Sequence, residues 1–274
     1  MLRQLDFNRN LNMNRSIGII GVGMVGGTLY KWFPDAKVFD KYKNIGSLED
    51  ATNADFVFIC IWLTDNGRNQ KDLDTLDEII SKVPDGRVIV IKSTVVPGTT
   101  DYFQEKYPNK LFVFNPEFLS EATAQYDFEH PPAQLVGCTH QSIKVGAELL
   151  EMLPKAPIQA IISPRDAEMY KHARNSYLAM KVIFFNQIYD ACATLGVDYE
   201  TLRNIFIQDP WIAATHTMIW HKGYRGFGTR EVSKCLPKDT ENLLEEVKSK
   251  GGNIELFELL IKLNQSYYDQ KRTA

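Results

Sequence analysis

The sequence predicts a doubly wound, parallel α/β sheet followed by an all-helical domain built on a long connecting helix. Three observations carry that expectation. Short apolar runs alternate with helical patterns from Ser16 to Ile162, a glycine-rich turn joins the first run to the first helix, and no strand pattern returns after Gly196. The expected domains are residues 1–162, a dinucleotide-binding domain, and residues 163–274, a helical domain.

Ser16 to Ile20 is the first apolar strand, and it runs into Gly21-Val22-Gly23-Met24-Val25-Gly26-Gly27 before a helical Thr28 to Phe33. Glycines in this strand-to-helix context are the dinucleotide fingerprint of a Rossmann-type domain. Gly21 permits the tight turn, Gly23 lets a pyrophosphate approach the backbone, and Gly26 allows close helix packing, with Met24 and Val25 between them. Lys37 to Phe39 ends at Asp40, nineteen residues beyond Gly21, where an acid binds the adenosine ribose hydroxyls. That acid repels a 2′-phosphate and favours NAD over NADP, although Lys41 and Lys43 pull the other way.

Alternation continues with strands at Asp55 to Trp62, Arg87 to Ile91, Leu111 to Phe114, Ala133 to Cys138 and Ile158 to Ile162, and helices at Leu73 to Val83, Thr100 to Tyr107 and about Gln141 to Leu153. Ligands of such sheets gather at the carboxyl ends of the strands. Two polar clusters fall there, Lys92 to Thr99 and Asn115 to Glu121. Glu117 and Glu121 would share one face if their segment were helical, suiting them to acid and base work; solvent-facing loop acids are the other reading. Thr94 could orient a ligand water or make a turn bond to backbone.

From Ser163 to Gly196 the chain reads as a single helix of about 50 Å, capped by Ser163, with Pro164 at its first position and Asp166 as the capping-box acid. Its apolar residues surround most of the circumference, so it needs two neighbours, one of which could be the same helix of a second subunit. Lys171 and Asn175 stand four apart on one face, either converging on a ligand or facing solvent. Helices follow at Asp198 to Ile207, about Thr240 to Lys250 and Asn253 to Gln270. Cys235 precedes a helix between Lys234 and Lys238, a setting that favours thiolate, and Asp239 is either a base or the N-cap of that helix.

A formal charge of −3 and a pI near 6.0 give no footprint for nucleic acid or an anionic membrane. No apolar run is long enough to span a bilayer, and Met1 to Ser16 lacks the apolar stretch of a secretion signal, so a cytoplasmic location is expected. Cys60, Cys138, Cys192 and Cys235 show no paired spacing, the five histidines are scattered, and no metal site is expected.

As a set, Gly18 to Gly27, Ser93-Thr94-Val95, Asn115 to Glu121, Lys171 with Asn175, Gly226-Phe227-Gly228 and Cys235-Leu-Pro-Lys-Asp239 resemble the UDP-glucose/GDP-mannose dehydrogenase family, in the family's order and over nearly the whole chain. The resemblance implies a dimeric, NAD-dependent enzyme that oxidises a nucleotide-sugar C6 alcohol to a carboxylate through an aldehyde held by cysteine. It makes Cys235 the nucleophile, Lys171 and Asn175 the oxyanion donors, Asp239 and Thr94 with a water the proton handlers, Glu121 an aid to thioester hydrolysis and Glu117 a substrate ligand. It sets Gly21, Gly23, Met24, Val25, Gly26, Asp40, Thr94 and Lys238 against the cofactor. Three departures stand out: the family's third, nucleotide-holding domain does not follow, six residues separate Gly228 from Cys235 where the family has a couple, and Trp211 stands where an arginine meets the substrate. A 3-hydroxyacid-type dehydrogenase, which needs no cysteine, and a non-catalytic NAD-binding subunit are the alternatives.

Overall fold

The structure is a computed structural model that describes residues 15–270. The stretch expected to lack a secretion signal lies almost wholly outside the described residues. The chain divides into two compact units at Glu168–Met169.

In the first unit the elements run β1 (Ile17–Ile20), α1 (Met24–Trp32), β2 (Lys37–Asp40), β3 (Ile45–Gly46), α2 (Leu48–Thr52), β4 (Phe56–Ile59), α3 (Gln70–Lys82), β5 (Val88–Ile91), α4 (Thr99–Lys106), β6 (Leu111–Phe114), α5 (Ala124–Glu129), β7 (Ala133–Cys138), α6 (Ile143–Met152), β8 (Ile158–Ile162) and the first turn of α7 (Pro164–Leu195). The strands form one sheet of order β3-β2-β1-β4-β5-β6-β7-β8. Its central strands are buried on both faces, which is why they read as unbroken apolar runs. Phe56 and Phe58 of β4 join Ile17, Ile19, Val88 and Val90 on one face, while Val57 and Ile59 join Ile20, Ile89, Ile91 and Phe112 on the other. Each such side chain contributes roughly 1.5–3 kcal/mol.

The sheet is mixed rather than wholly parallel. β3, α2 and α5 were not expected, β3 pairs antiparallel with β2, and β7 runs antiparallel to β6. Only the last residues of β7 pair with β6, Cys138 with Val113 and Gly137 with Phe114, so the rest of β7 overhangs the carboxyl end of β6. Asn115 pins that overhang: its Nδ2 donates to the Leu135 carbonyl at 2.7 Å, and its Oδ1 accepts from buried Lys92 Nζ at 2.7 Å. Because Ile162 of β8 pairs with Gly137, it lies level with Phe114. Strand β8 therefore ends at the sheet edge at which β1, β2, β4, β5 and β6 end.

At the start of α7 the Asp166 N–H donates to Ser163 Oγ at 3.1 Å as expected of the cap, but the Asp166 carboxylate accepts from the Ser163 hydroxyl at 2.7 Å rather than completing a capping box, and Gly196 closes the helix at φ +68. The second unit contains the remainder of α7, α8 (Tyr199–Phe206), α9 (Cys235–Ser249) and α10 (Glu255–Tyr268). Ala179, Val182 and Ile183 of α7 pack with Phe227, Leu260 and Tyr267, and farther along Phe185 and Cys192 pack with Tyr199 and Ile219. Buried Arg225 fastens the long α8–α9 connection to α7, donating to Asn186 Oδ1 at 2.9 Å and Asp190 Oδ1 at 2.7 Å, and lies 4.5 Å from the centre of the Tyr267 ring.

Candidate active site

Each unit holds part of the predicted site. In the first, the turn after β1 has the geometry a dinucleotide requires. Gly21 adopts φ +88, which a side chain would strain, and a Cβ on Gly26 would lie 1.8 Å from the Gly21 carbonyl oxygen. A Cβ on Gly23 would meet nothing within 4 Å. That open space lies at the start of α1, whose N-cap carries no side-chain cap and whose first residues, Met24 and Val25, are respectively exposed and half-buried. A pyrophosphate fits such a helix end, where backbone N–H groups and the positive end of the helix dipole meet.

Asp40 closes β2 with its carboxylate accepting from the backbone N–H groups of Val22 (2.8 Å), Tyr42 (3.0 Å) and Lys43 (3.0 Å). Burial pushes its pKa up, but these three donors and the Lys43 charge outweigh it and hold the group below the usual carboxylate range. The Lys43 ammonium donates to the Val22 carbonyl at 2.6 Å and so is tied to the glycine turn. A permanently ionised acid here suits ribose hydroxyls and repels a 2′-phosphate. The residues present fit NAD.

Thr94 lies half-buried in the loop after β5. Asn115 to Ser120 is not helical, so Glu117 and Glu121 do not share a helix face. Glu117 folds back on its own loop, its Oε2 accepting from the Leu119 N–H at 2.7 Å, and Glu121 is exposed in a turn.

The second unit brings the α7 and α9 candidates together. Lys171 and Asn175 are buried, at 3% and 4% exposure, which disposes of a solvated pair. Asn175 Nδ2 donates to Asp239 Oδ2 at 2.6 Å, and the Asp239 carbonyl lies 3.1 Å from His172 Nδ1. Helix α9 begins at Cys235 rather than near Thr240. Pro237 does not delay it, because a first-turn proline lacks only an N–H that would have no helical partner. Asp239 is consequently inside the helix and 1% exposed, not an N-cap, and buried Lys238 precedes it. Cys235 and Asp239, four apart, stack on one face of α9. Cys138 and Cys192 are buried in the core, with the Cys138 thiol pushed up to about 11, and Cys60, although half-buried like Cys235, has its thiol pushed up to about 12 by desolvation, so Cys235 at the start of α9 is the candidate nucleophile. Among the described residues no group of three or more His, Cys, Asp or Glu could hold a metal ion, and no helix is long and apolar enough to cross a membrane.

Residues 35–154 match the NAD binding domain, and residues 165–266 the central domain, of the UDP-glucose/GDP-mannose dehydrogenase family. The chain belongs to that family. It is 30% identical over 238 residues to a UDP-glucose 6-dehydrogenase of Rickettsia typhi, covering 82% of this chain and 52% of the relative. It is 30% identical over 227 residues to UDP-glucose 6-dehydrogenase YwqF of Bacillus subtilis, covering 78% and 49%. The chain thus spans about half the length of the curated relatives it matches. Solved structures share the fold: a UDP-glucose dehydrogenase from Pyrobaculum islandicum (TM-score 0.76, 23% identity, 95% of this chain and 70% of that one) and a UDP-D-ManNAc dehydrogenase from Pyrococcus horikoshii (TM-score 0.76, 17% identity, 92% and 68%).

In this UDP-glucose/GDP-mannose dehydrogenase family member, sequence reasoning missed Glu168. Wholly buried, it caps α4, accepting from the N–H groups of Gly98 (2.6 Å) and Thr100 (2.9 Å) and from Thr100 Oγ1 (2.6 Å). It also missed His172 and the Lys92–Asn115 pair, although the latter stood in its two polar clusters. Trp211 is 93% exposed.

Proposed function

We propose that this chain oxidises the C6 alcohol of a nucleotide sugar to the carboxylate, as a UDP-glucose 6-dehydrogenase-type enzyme with Cys235 as its nucleophile. The observation that carries the reading is the buried Asn175–Asp239 hydrogen bond, set one helical turn from Cys235 on α9 and one turn from Lys171 on α7. Burying a cation, an amide and a carboxylate together is costly unless they are used or paired.

Gly21 to Gly26 and Asp40 would hold NAD, assisted by Thr94 and Lys238; when bound, it supplies the hydride acceptor. Asp239, with Thr94 and a water, takes the hydroxyl proton as the alcohol becomes an aldehyde. The Cys235 sulfur then adds to the aldehyde carbon, and the charge that moves to oxygen is held by the Lys171 ammonium and the Asn175 amide. Oxidation of this thiohemiacetal, for which a second NAD would be the hydride acceptor, leaves a thioester on Cys235. Glu121 assists the attack of a water, the C–S bond breaks, and thiolate and carboxylate separate, while Glu117 shapes the substrate site. Tyr170, Tyr177 and Phe184, seven apart on α7 and 42–52% exposed, give a homodimer an apolar stripe to bury. The cysteines and cofactor suit a cytoplasmic setting.

Incubation with NAD and a panel of UDP- and GDP-sugars, sugar phosphates and hydroxyacids tests the reading. Two NADH per substrate and loss of turnover in Cys235→Ala are expected. One NADH with a hydroxyacid, insensitive to Cys235→Ala, would point to a 3-hydroxyacid-type dehydrogenase, and NAD binding without any turnover to a non-catalytic subunit. Phe184→Arg should convert a dimer to a monomer in sedimentation velocity.

A further inference from the structure

The six residues Thr229 to Lys234 are a compact, hydrogen-bonded knot. The Thr229 carbonyl collects the N–H groups of Val232 (3.2 Å), Ser233 (2.9 Å) and Lys234 (3.2 Å). Ser233 packs so closely under Gly228 that a Cβ there would lie 2.7 Å from its own. The Gly228 carbonyl is in turn held by Asn264 Nδ2 at 2.8 Å. From this knot Arg230 reaches along α9, its Nε donating to Glu241 Oε2 and its Nη2 to Asn242 Oδ1 at 3.0 Å.

The knot ends in an unfavourable turn. Lys234 has φ 60 and ψ −73, and the Cys235 N–H donates across it to the Ser233 carbonyl at 2.8 Å. This is the γ-turn with positive φ at its centre, the rare and strained form. The Lys234 side chain makes no capping bond and is exposed, so its backbone is what matters here. Its carbonyl accepts from the Lys238 N–H at 3.3 Å and so starts the α9 ladder. The torsions at 234 therefore fix how Cys235 leaves the knot and enters the first turn of α9, the turn that sets its thiol on the same face as Asp239.

We propose that Arg230 is a positioning residue: by fastening the knot to α9 through Glu241 and Asn242, it holds Lys234 in the strained turn that aims the Cys235 thiol. The proposal rests on Cys235 being the nucleophile. Strain of this kind persists only where surrounding contacts over-determine it. Without the clamp, Lys234 relaxes toward negative φ, the Cys235 N–H leaves Ser233, and the thiol loses its line of attack.

A double-mutant cycle on the full chain tests this, because glycine occupies positive φ without strain. In an otherwise unchanged chain, Arg230→Ala should speed hydrogen exchange at the Cys235 amide about tenfold, equivalent to ~1.4 kcal/mol, and lower kcat by a similar factor with KM within about twofold. In the K234G background the same substitution should change each by less than about twofold. Circular dichroism checks that the variants fold, and Glu241→Gln loosens the same clamp from the other side should R230A not fold. Effects of R230A that are equal in both backgrounds, or amide exchange that R230A leaves unmoved, would overturn the proposal. Turnover surviving Cys235→Ala would sink the nucleophile reading alone, since amide exchange reports the turn whatever the chemistry.

Discussion

Glu168→Gln should change how the stability of the first unit responds to pH, and the direction follows from the site. The carboxyl is wholly buried, and burial pushes its pKa up to about 7, against the pull of the Thr100 hydroxyl and the Gly98 and Thr100 N–H groups and with a small further push from Asp101. Asp101 is itself paired with Arg165 at 3.1 Å. The unfolded chain restores the ordinary value near 4.5. Between these values the folded state holds a proton that the unfolded state has lost, so stability is highest below pH 4.5 and falls as pH rises through 7. The full swing from this one group is about 3 kcal/mol, from 1.36 kcal/mol per pKa unit. In E168Q that slope disappears, while one backbone N–H of the α4 cap is left facing an amide donor, at a constant cost of about 1–3 kcal/mol. Hydrogen exchange at the Thr100 amide from pH 5 to 8.5, in both proteins, measures the difference, and the Glu168 carboxyl carbon reports the titration directly. A difference that stays flat with pH, or a carboxyl that titrates below 5, would mean that the three donors outweigh burial and that the reasoning is wrong.

Two glycine substitutions separate folding from cofactor binding. Gly26→Ala drives a methyl into the Gly21 carbonyl and should cost about 1–3 kcal/mol in thermal or urea unfolding, whereas Gly23→Ala points into open space and should unfold like the parent while binding NAD about tenfold more weakly by calorimetry. Equal losses of stability in both would refute the assigned roles. In the second unit, burial and the charges of Lys181, Arg174 and His221 push His216 down to about 4. Its neutral form stabilises the fold above pH 6.5, and that contribution is lost as pH falls toward 4, so His216→Gln should flatten the acid limb of the second unit's exchange profile. Asp239→Asn turns the acceptor of the Asn175 amide into an ambiguous partner and should lower kcat more than it raises KM.

The cofactor half of the site was legible because its signals are local. The glycine turn, the strand ahead of it and Asp40 lie within two dozen residues, and each glycine has a steric reason that a sequence can state. The start of α9 was not legible from Cys235-Leu-Pro-Lys-Asp239, because Pro237 reads equally as a stop and as a first-turn residue. Asp239 has the chemistry of a cap, and only the fold supplies Asn175, 64 residues away, as its partner. The antiparallel entry of β7 was invisible for a related reason: a buried strand has the same pattern in either direction, and what orients this one is the Asn115 bond to the Leu135 carbonyl.

Glu168 was findable by a different rule. Ala179, Val182, Ile183 and Asn186 are all buried on α7, and the same steps of three and four taken backward reach Asn175, His172, Lys171 and Glu168, none more than 4% exposed. One stripe of the helix is thus buried along its length, apolar through its middle and polar toward its start. Averaged over 32 residues the polar half cancels the apolar half, so the helix looks nearly featureless in amphipathicity although its buried face is well defined. Groups of that polarity are desolvated only where hydrogen bonds offset the cost. Glu168 meets that condition on α4 and Asn175 on Asp239. Extending a buried stripe until its residues turn polar, and asking what each would need there, locates the α7 candidates from the pattern alone; identifying their partners still requires the fold.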